Sequence, residues 1–200
     1  GKLRKGARAI QSQATPMKMQ KIEEFNSVVE NDSSIIALRD AAIINFAFDT
    51  LLRASNIIDI QVSDVFGHDG RVLVRWSKND QDGNGSYRYL SDISIELCKR
   101  WVKAAGITDG YLFRRVSKGG KASNEGLSYN GLLYIFKRIG NRVGLKLSCH
   151  SCRVGAAISM LEAGVHDHEI MRAGDWKSLQ MVLRYTEKAR LAKGGMQALR

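Results

Sequence analysis

Apolar residues recur every three or four positions over much of the chain, the spacing that places them on one face of a helix. Residues with capping side chains precede several of these runs, and they predict where the helices begin. The predicted starts are Thr15 with Pro16 at the first helical position, Ser34, Ser128, Ser148 and Ser178, and a further helix is predicted over 95–105. The chain is therefore expected to be mainly helical.

The apolar period changes to two between the second and third of these long helices, which favours strands. Short alternating runs at 65–66, 71–76 and 87–90 are separated by turn-forming residues. They predict a small three-stranded antiparallel sheet, which makes the fold class α+β. The run 114–126 is basic and rich in glycine, and it is predicted to be a mobile loop.

The balance of charge narrows the choice of partner. The chain has 200 residues, enough for one compact domain, with 31 Lys and Arg against 20 Asp and Glu, a net charge of +11 and a pI near 9.8. A domain this basic most often binds nucleic acid, with an anionic membrane surface as the weaker alternative. No apolar run reaches the roughly 18 residues of a membrane span, and no signal peptide is apparent, so a soluble, intracellular protein with no membrane partner is expected.

The cysteines and histidines suggest neither a disulfide framework nor a metal site. Three cysteines are an odd number, which fits a reducing compartment. Cys149, His150 and Cys152 lie close together, but no second Cys or His pair follows at the spacing of a zinc site. No metal site is therefore predicted.

The densest candidate chemistry lies between residues 149 and 188. His150 and Arg153 are three residues apart, Trp176 follows 23 residues after Arg153, and Tyr185 nine residues later. The His and Arg would project from the first turn of a helix, where backbone amides already favour an anion. Such a pair alone is usually a solvated helix start, but the joint spacing, with Arg53 upstream, suits attack on a phosphodiester.

These residues resemble the tyrosine recombinase (phage integrase) family, and within it the Cre-like branch. The resemblance is carried by LLRASN at 51–56, by His150 with Arg153, by Trp176 in AGDWKS and by Tyr185 in VLRYTEK. Most of the family has a second His where this chain has Trp176, and Trp there is typical of the Cre-like group. The resemblance extends from about residue 20 to the C-terminus.

The resemblance implies a site-specific recombinase that cleaves and rejoins DNA through a 3′-phosphotyrosyl bond on Tyr185, with no ATP and no cofactor. Arg53 and Arg153 would hold the non-bridging oxygens, since a guanidinium offers paired donors and stays charged. These arginines would supply the charge stabilisation that metal ions provide in other nucleases. His150 would take the phenol proton or bond the phosphate, and Trp176 can only donate.

Two further positions follow from the same resemblance. Lys78, at the end of the second predicted strand, is the expected general acid for the departing 5′ oxygen, with Arg75 and Arg88 as nearby alternatives. Relatives usually carry an acidic residue three positions after the first Arg, where this chain has Asn56. An amide accepts a hydrogen bond but brings no charge, so reduced or differently tuned activity is one expectation.

Basic residues outside this motif are candidates for DNA contact. Those of the helix after Ser128 and of the loop before it suit backbone phosphates. They are Lys137, Arg138 and Arg142, with Lys118 and Lys121.

The domain organisation is also inferred from the resemblance. Residues 1–15 are expected to be a basic linker from a separate DNA-binding domain, and 16–200 the catalytic domain. Its last helix is expected to dock on a neighbouring protomer in a tetramer on the double-stranded DNA target site.

Other activities fit the same residues. A type IB topoisomerase or a telomere resolvase shares the chemistry, and a catalytically silent DNA-binding protein is the alternative from another class. For an active recombinase the expected location is cytoplasmic and DNA-associated, in a bacterial, phage or plasmid setting.

Overall fold

The computed structural model describes residues 13–75 and 85–194. Within these ranges the chain forms helices that surround one apolar core, with two small antiparallel hairpins at the edge. The helices are α1 Met19–Val29, α2 Ile35–Thr50, α3 Ala54–Asp59, α4 Val62–Val65, α5 Asp92–Ala105, α6 Tyr129–Arg142, α7 Ser151–Glu162, α8 Asp167–Ala173 and α9 Leu179–Lys193. The strands are β1 Arg71–Val74, β2 Ser86–Tyr89, β3 Arg114–Val116 and β4 Ala122–Gly126. The α+β class is confirmed.

Helix α2 is the centre of the core. Ser34 caps it by accepting a hydrogen bond from the Ala37 amide at 3.2 Å, as predicted. Its residues are buried nearly all round, and it packs against α1, α5 and α7. A mainly apolar helix that is buried on nearly every side is stable in the interior of a domain, so α2 fixes where the other helices lie.

The predicted three-stranded sheet is wrong in its number of strands. Among the described residues β1 pairs only with β2, with Arg71 opposite Tyr89 and Val74 opposite Ser86. The first predicted strand, at 65–66, is instead the end of the short helix α4 and the residue after it, and the Gln61 and Asp64 side chains form a reciprocal capping box at the start of this helix. Two local side-chain bonds to the backbone thus outweigh the strand preference of two apolar residues.

The loop predicted over 114–126 is a second hairpin. Strands β3 and β4 pair antiparallel with a register shift near Val116, and Ser117 and Lys121 close the turn through a backbone hydrogen bond of 2.9 Å. Neither strand has the apolar alternation that predicts a strand, because most of the residues in the two strands are polar.

Three predicted helix starts also lie elsewhere. The helix predicted over 95–105 begins at Asp92 as α5, because Ser91 caps it by accepting from the Ser94 amide at 3.2 Å.

Helix α1 begins at Met19 and not at Thr15, because the residues before it run extended over α7. The amide of Met17 donates to the Ser151 carbonyl at 3.0 Å, and the Met17 side chain is fully buried. Gly155 makes this approach possible, since a Cβ there would lie 1.8 Å from the Met17 carbonyl oxygen.

Helix α7 begins at Ser151 and not directly after Ser148. Ser148 organises the preceding turn: its amide donates to the Ser151 hydroxyl at 2.9 Å, and its hydroxyl accepts from the His150 amide at 3.3 Å. His150 was predicted in the first turn of this helix, but it is the residue just before it, whereas Arg153 lies in the first turn as expected.

In the described part of the chain no helix combines the length and the apolar character needed to cross a membrane.

Candidate active site

Arg53 enters the site from the junction of α2 and α3. Helix α2 ends at Thr50, and the next residue, Leu51, has a left-handed φ of 50°. Arg53 is then the half-buried residue that precedes α3. Its charge acts on His150, Arg88 and Arg153, lowering the pKa of each. Arg53 is thus held by the end of a buried helix beside three other basic groups.

Arg153 is the most deeply fixed of the basic side chains. Only 4% of its surface is exposed, and its guanidinium donates to the carbonyls of Leu51 and Gly174. The same group stacks on Trp176 at 4.8 Å from the ring centre. Burial, followed by the charge of Arg53, lowers the pKa of Arg153 to about 10, so it stays protonated at neutral pH.

His150 and Tyr185 are in direct contact. The imidazole Nε2 lies 2.9 Å from the phenol oxygen, and the rings are 5.4 Å apart. Burial, then the charges of Arg153 and Arg53, lowers the pKa of His150, which favours a neutral imidazole at neutral pH. A neutral ring with its proton on Nδ1 accepts a proton at Nε2.

Trp176 brings an unused donor to the same place. Its ring lies 5.3 Å from that of Tyr185, and the residue is buried. Within the described residues its indole Nε1 is buried without a hydrogen-bond partner. A buried N–H without an acceptor costs about 1 to 3 kcal/mol, so the group suits an acceptor supplied by a ligand.

Five of the six predicted catalytic residues are therefore near one another: Arg53, His150, Arg153, Trp176 and Tyr185. The sixth, Lys78, lies outside the described residues, in the connection from β1 to β2. Its role and those of the other five stay predictions. Asn56 is in α3, where it lines a shallow cavity with Asp64 and Arg75.

The residues predicted to contact DNA differ in whether their side chains already pair with another residue of the protein. Arg138 donates to both carboxylate oxygens of buried Asp40, at 2.8 and 2.6 Å, which is a structural contact. Arg142 lies 3.5 Å from Asp32 at the surface. The lysines are exposed: Lys137 on α6, and Lys118 and Lys121 in the turn from β3 to β4. Their contact with DNA stays a prediction.

Two contacts at the site were not predicted from the sequence. The Gln13 side-chain amide donates to the Tyr185 carbonyl at 2.7 Å, which ties the segment before α1 to the helix of the tyrosine. Arg88 pairs with Asp175 at 3.3 Å, whereas the sequence suggested it only as an alternative to Lys78. Both contacts join segments far apart in the chain, so no local pattern could reveal them.

A buried arginine, a histidine hydrogen-bonded to a tyrosine and a buried indole N–H lie together on a helical scaffold with small hairpins. The chain belongs to the phage integrase family, whose model matches residues 16–191. It is 32% identical to the recombinase Cre of Escherichia phage P1, over 94% of this chain and 60% of that protein. It is also 30% identical to an integrase/recombinase XerD homologue of Selenomonas ruminantium, over 82% of this chain and 51% of the relative.

Solved structures share the fold. A XerH site-specific recombinase, in a post-cleavage complex with a palindromic difH substrate, superposes with a TM-score of 0.72 at 18% identity, over 94% of this chain and 53% of that one. The Tn1549 transposon integrase in complex with transposon right end DNA gives a TM-score of 0.69 at 13% identity, over 93% and 68%. The chain spans about half to three fifths of the length of the two relatives it matches at 30% identity or more.

Proposed function

We propose that the chain is the catalytic domain of a site-specific DNA recombinase that cleaves and rejoins strands through a covalent 3′-phosphotyrosine. The contact of 2.9 Å between His150 Nε2 and the Tyr185 hydroxyl carries the proposal, because it gives the nucleophile a base within hydrogen-bond reach. The family membership of the chain and its 32% identity to the recombinase Cre support it.

In the proposed reaction the Tyr185 oxygen attacks the scissile phosphorus while His150 accepts the phenol proton at Nε2. A bond forms between that oxygen and phosphorus, and the bond from phosphorus to the 5′ oxygen breaks. Lys78 donates a proton to the departing 5′ oxygen, leaving a free hydroxyl. Attack by a 5′ hydroxyl of another strand reverses these steps, and because the ester bond is conserved no ATP is needed.

The charge that develops on the phosphorane is stabilised by preorganised donors. Arg53 and Arg153 bind the two non-bridging oxygens of the phosphate. The indole N–H of Trp176 donates to one of these oxygens, which would give Nε1 the acceptor that it lacks in the described residues. Arg153 is already fixed through two carbonyls, so little reorganisation accompanies the reaction. These cations supply the charge that a metal ion would otherwise bring.

DNA is held by the exposed basic surface in this proposal. Lys137 and Arg142 on α6, with Lys118 and Lys121 on the second hairpin, contact backbone phosphates, and the net charge of +11 supports such contacts. Arg138 contributes mainly to the packing of α6 on α2, through its ion pair with Asp40. Residues 1–15 form the linker from a separate DNA-binding domain. Because the proposed substrate is DNA, the protein is expected to be associated with DNA in the cytoplasm.

Assembly on DNA is proposed as a tetramer in which the C-terminal segment of each protomer docks on its neighbour. Residues 195–200 lie outside the described residues, but α9 exposes Leu183 and Leu191, at 41% and 75%, beside Gly194. Deleting residues 194–200 is expected to weaken assembly on DNA and to spare cleavage. Unchanged assembly by analytical ultracentrifugation would contradict the exchange.

The test is covalent capture. The protein in its natural full length is incubated with nicked suicide duplexes whose central site is randomised, then denatured, and the protein-linked DNA is isolated and sequenced. A 3′-linked adduct enriched in one sequence, present in the wild type and absent in Tyr185→Phe, is expected. The Tyr185→Phe protein should still bind the enriched site in a mobility-shift assay.

Two outcomes would replace the proposal. Binding without any adduct would mean that the chain is a catalytically silent DNA-binding relative. The variant Asn56→Glu would then test whether the acidic residue that relatives carry at this position restores cleavage. Adducts with no sequence preference, together with relaxation of supercoiled plasmid, would favour the topoisomerase alternative.

A further inference from the structure

The turn at residues 174–176, which carries Trp176, is fixed by several contacts. Asp175 has a φ of 51°, in the left-handed region that few side chains adopt without support. Gly174 lies directly on the indole, where a Cβ would be 2.3 Å from a ring carbon, and its carbonyl accepts from Arg153. One guanidinium thus fixes the first residue of the turn and stacks on the third.

A second guanidinium reaches the middle residue of the same turn. Arg88 projects from β2 with 12% of its side chain exposed, and its Nη2 lies 3.3 Å from the Asp175 carboxylate. Burial lowers the pKa of Arg88, Asp175 raises it and Arg53 lowers it. A half-buried cation beside another cation is unfavourable without a counter-charge, and Asp175 supplies that charge for Arg88. The Arg88 Nη1 also donates to the Tyr87 carbonyl at 2.9 Å.

The consequence concerns the indole N–H. In the described residues Trp176 Nε1 has no acceptor, so no hydrogen bond of its own fixes the direction of the donor before a ligand binds. Its direction depends on the backbone of 174–176, whose three amides donate to carbonyls of α8 at 3.0 to 3.1 Å. Arg153 binds this turn at the Gly174 carbonyl, and Arg88 binds it at the Asp175 side chain. A donor that points at a developing charge stabilises it only when it is already oriented.

We propose that Arg88 is a positioning residue that, through its ion pair with Asp175, clamps the 174–176 turn to β2 and aims the Trp176 indole N–H at the scissile phosphate. The proposal rests on the function proposed above and extends it to a residue outside the predicted catalytic set. It also links the hairpin of β1 and β2 to the site, since Arg88 is paired across the hairpin with Val72.

The test measures single-turnover cleavage of a nicked suicide duplex bearing the enriched site, in an epistasis series. Arg88→Gln removes the charge and keeps much of the length, and Asp175→Asn keeps a residue that tolerates a positive φ. Each is expected to slow cleavage about 10-fold to 100-fold, the range that a small misplacement can cause. Arg88→Lys should recover part of the rate, because an ammonium can still pair with Asp175.

The decisive comparison uses a Trp176→Phe background, which keeps a ring and removes the N–H. There Arg88→Gln is expected to slow cleavage by less than about twofold, because coupled residues are not additive and the group being positioned is already gone. Arg115→Gln is the matched control, since it breaks the surface pair of a strand arginine with Glu125 and should cleave at the wild-type rate. DNA affinity and urea unfolding are measured for every variant.

Several results would overturn the clamp. An equal slowing by Arg88→Gln in both backgrounds would mean that Arg88 acts on the phosphate directly, and wild-type cleavage by Arg88→Gln or by Asp175→Asn would mean that the pair does not matter. These failures require a cleaving wild type and so leave the proposed function standing. Absence of any adduct with the wild type would overturn the proposed function and the clamp together.

Discussion

The protonation state of His150 decides whether it can serve as a base. Burial, then Arg153 and Arg53, lowers the pKa of His150 below the ordinary value of about 6.5. The imidazole is therefore neutral at pH 7, and solvent protonates it only as the pH falls through its lowered pKa. Below that pKa, Nε2 carries a proton and can no longer accept one from Tyr185.

We expect the His150 ring nitrogens of the free protein to titrate below about pH 6.5 in long-range 1H–15N NMR spectra. Arg53→Gln should move the midpoint upward, because it removes a neighbouring positive charge. The contribution to stability has the matching sign: it is present above the unfolded pKa of about 6.5 and is lost as the pH falls through the folded pKa. A midpoint above 6.5 would contradict the assignment.

The role of Lys78 can be tested by chemistry at the leaving group. An alkoxide needs a proton to depart, whereas sulfur leaves as a thiolate, because a thiol has an ordinary pKa of about 8.5. Lys78→Ala is expected to slow cleavage of an ordinary duplex by about 10² to 10⁴, the usual contribution of a general acid. A substrate with sulfur at the bridging 5′ position should restore the rate.

Tyr185→Phe provides the contrast in this experiment, because the sulfur substrate cannot replace a nucleophile. A Lys78→Ala protein that stays slow on the sulfur substrate would move the general acid to another residue. Arg75 is then the less favourable choice, since its guanidinium is already paired with the buried carboxylate of Asp64.

At the scale of whole elements, α2 and α6 are joined through a buried charge cluster. The Asp40 carboxylate, 6% exposed, accepts from Arg138 on α6 and from buried Arg39 on its own helix. Burial raises the pKa of Asp40 in spite of the two guanidinium groups. Removing the carboxylate would leave Arg39 buried without its counter-charge.

Asp40→Asn is therefore expected to reduce the free energy of unfolding by about 3 to 5 kcal/mol, as for other broken buried pairs. Asp32→Asn is the control, because it breaks a surface pair with Arg142 that is worth about 1 kcal/mol or less. Urea unfolding of both variants measures the difference. Equal effects would mean that the buried cluster is not what holds α6 on α2.

The elements themselves were predicted unevenly, for physical reasons. The cap at Ser128 is confirmed by its hydrogen bond from the Gly131 amide at 3.1 Å. The predicted end of the helix over 95–105 is confirmed by Gly106, which follows it with a φ of 63°. Such signals depend on neighbouring residues. Helix α1 starts later than predicted because Met17 is bound by α7, which its own neighbours do not encode.

The charge of the whole molecule sets how DNA binding responds to salt. With a net charge of +11, affinity is expected to fall linearly on a log–log plot as salt rises. Lys137→Gln should reduce the steepness of that plot by about 0.9, the effect of losing one phosphate contact. Lys103→Gln removes the same charge from α5, for which no DNA contact is proposed, and an equal loss there would contradict the assignment to α6.

The sequence by itself determined the helical character, the position of most caps and the kinds of chemical group available to the site. These depend on spacing within a few turns, and LLRASN at 51–56, His150 with Arg153, AGDWKS and VLRYTEK together indicated the family. Tertiary structure alone decided that His150 meets Tyr185, residues 35 apart, and that Arg153 is fixed by the Leu51 and Gly174 carbonyls. Such contacts form when buried helices pack, so their partners are chosen by the shape of the core and not by neighbours in the chain.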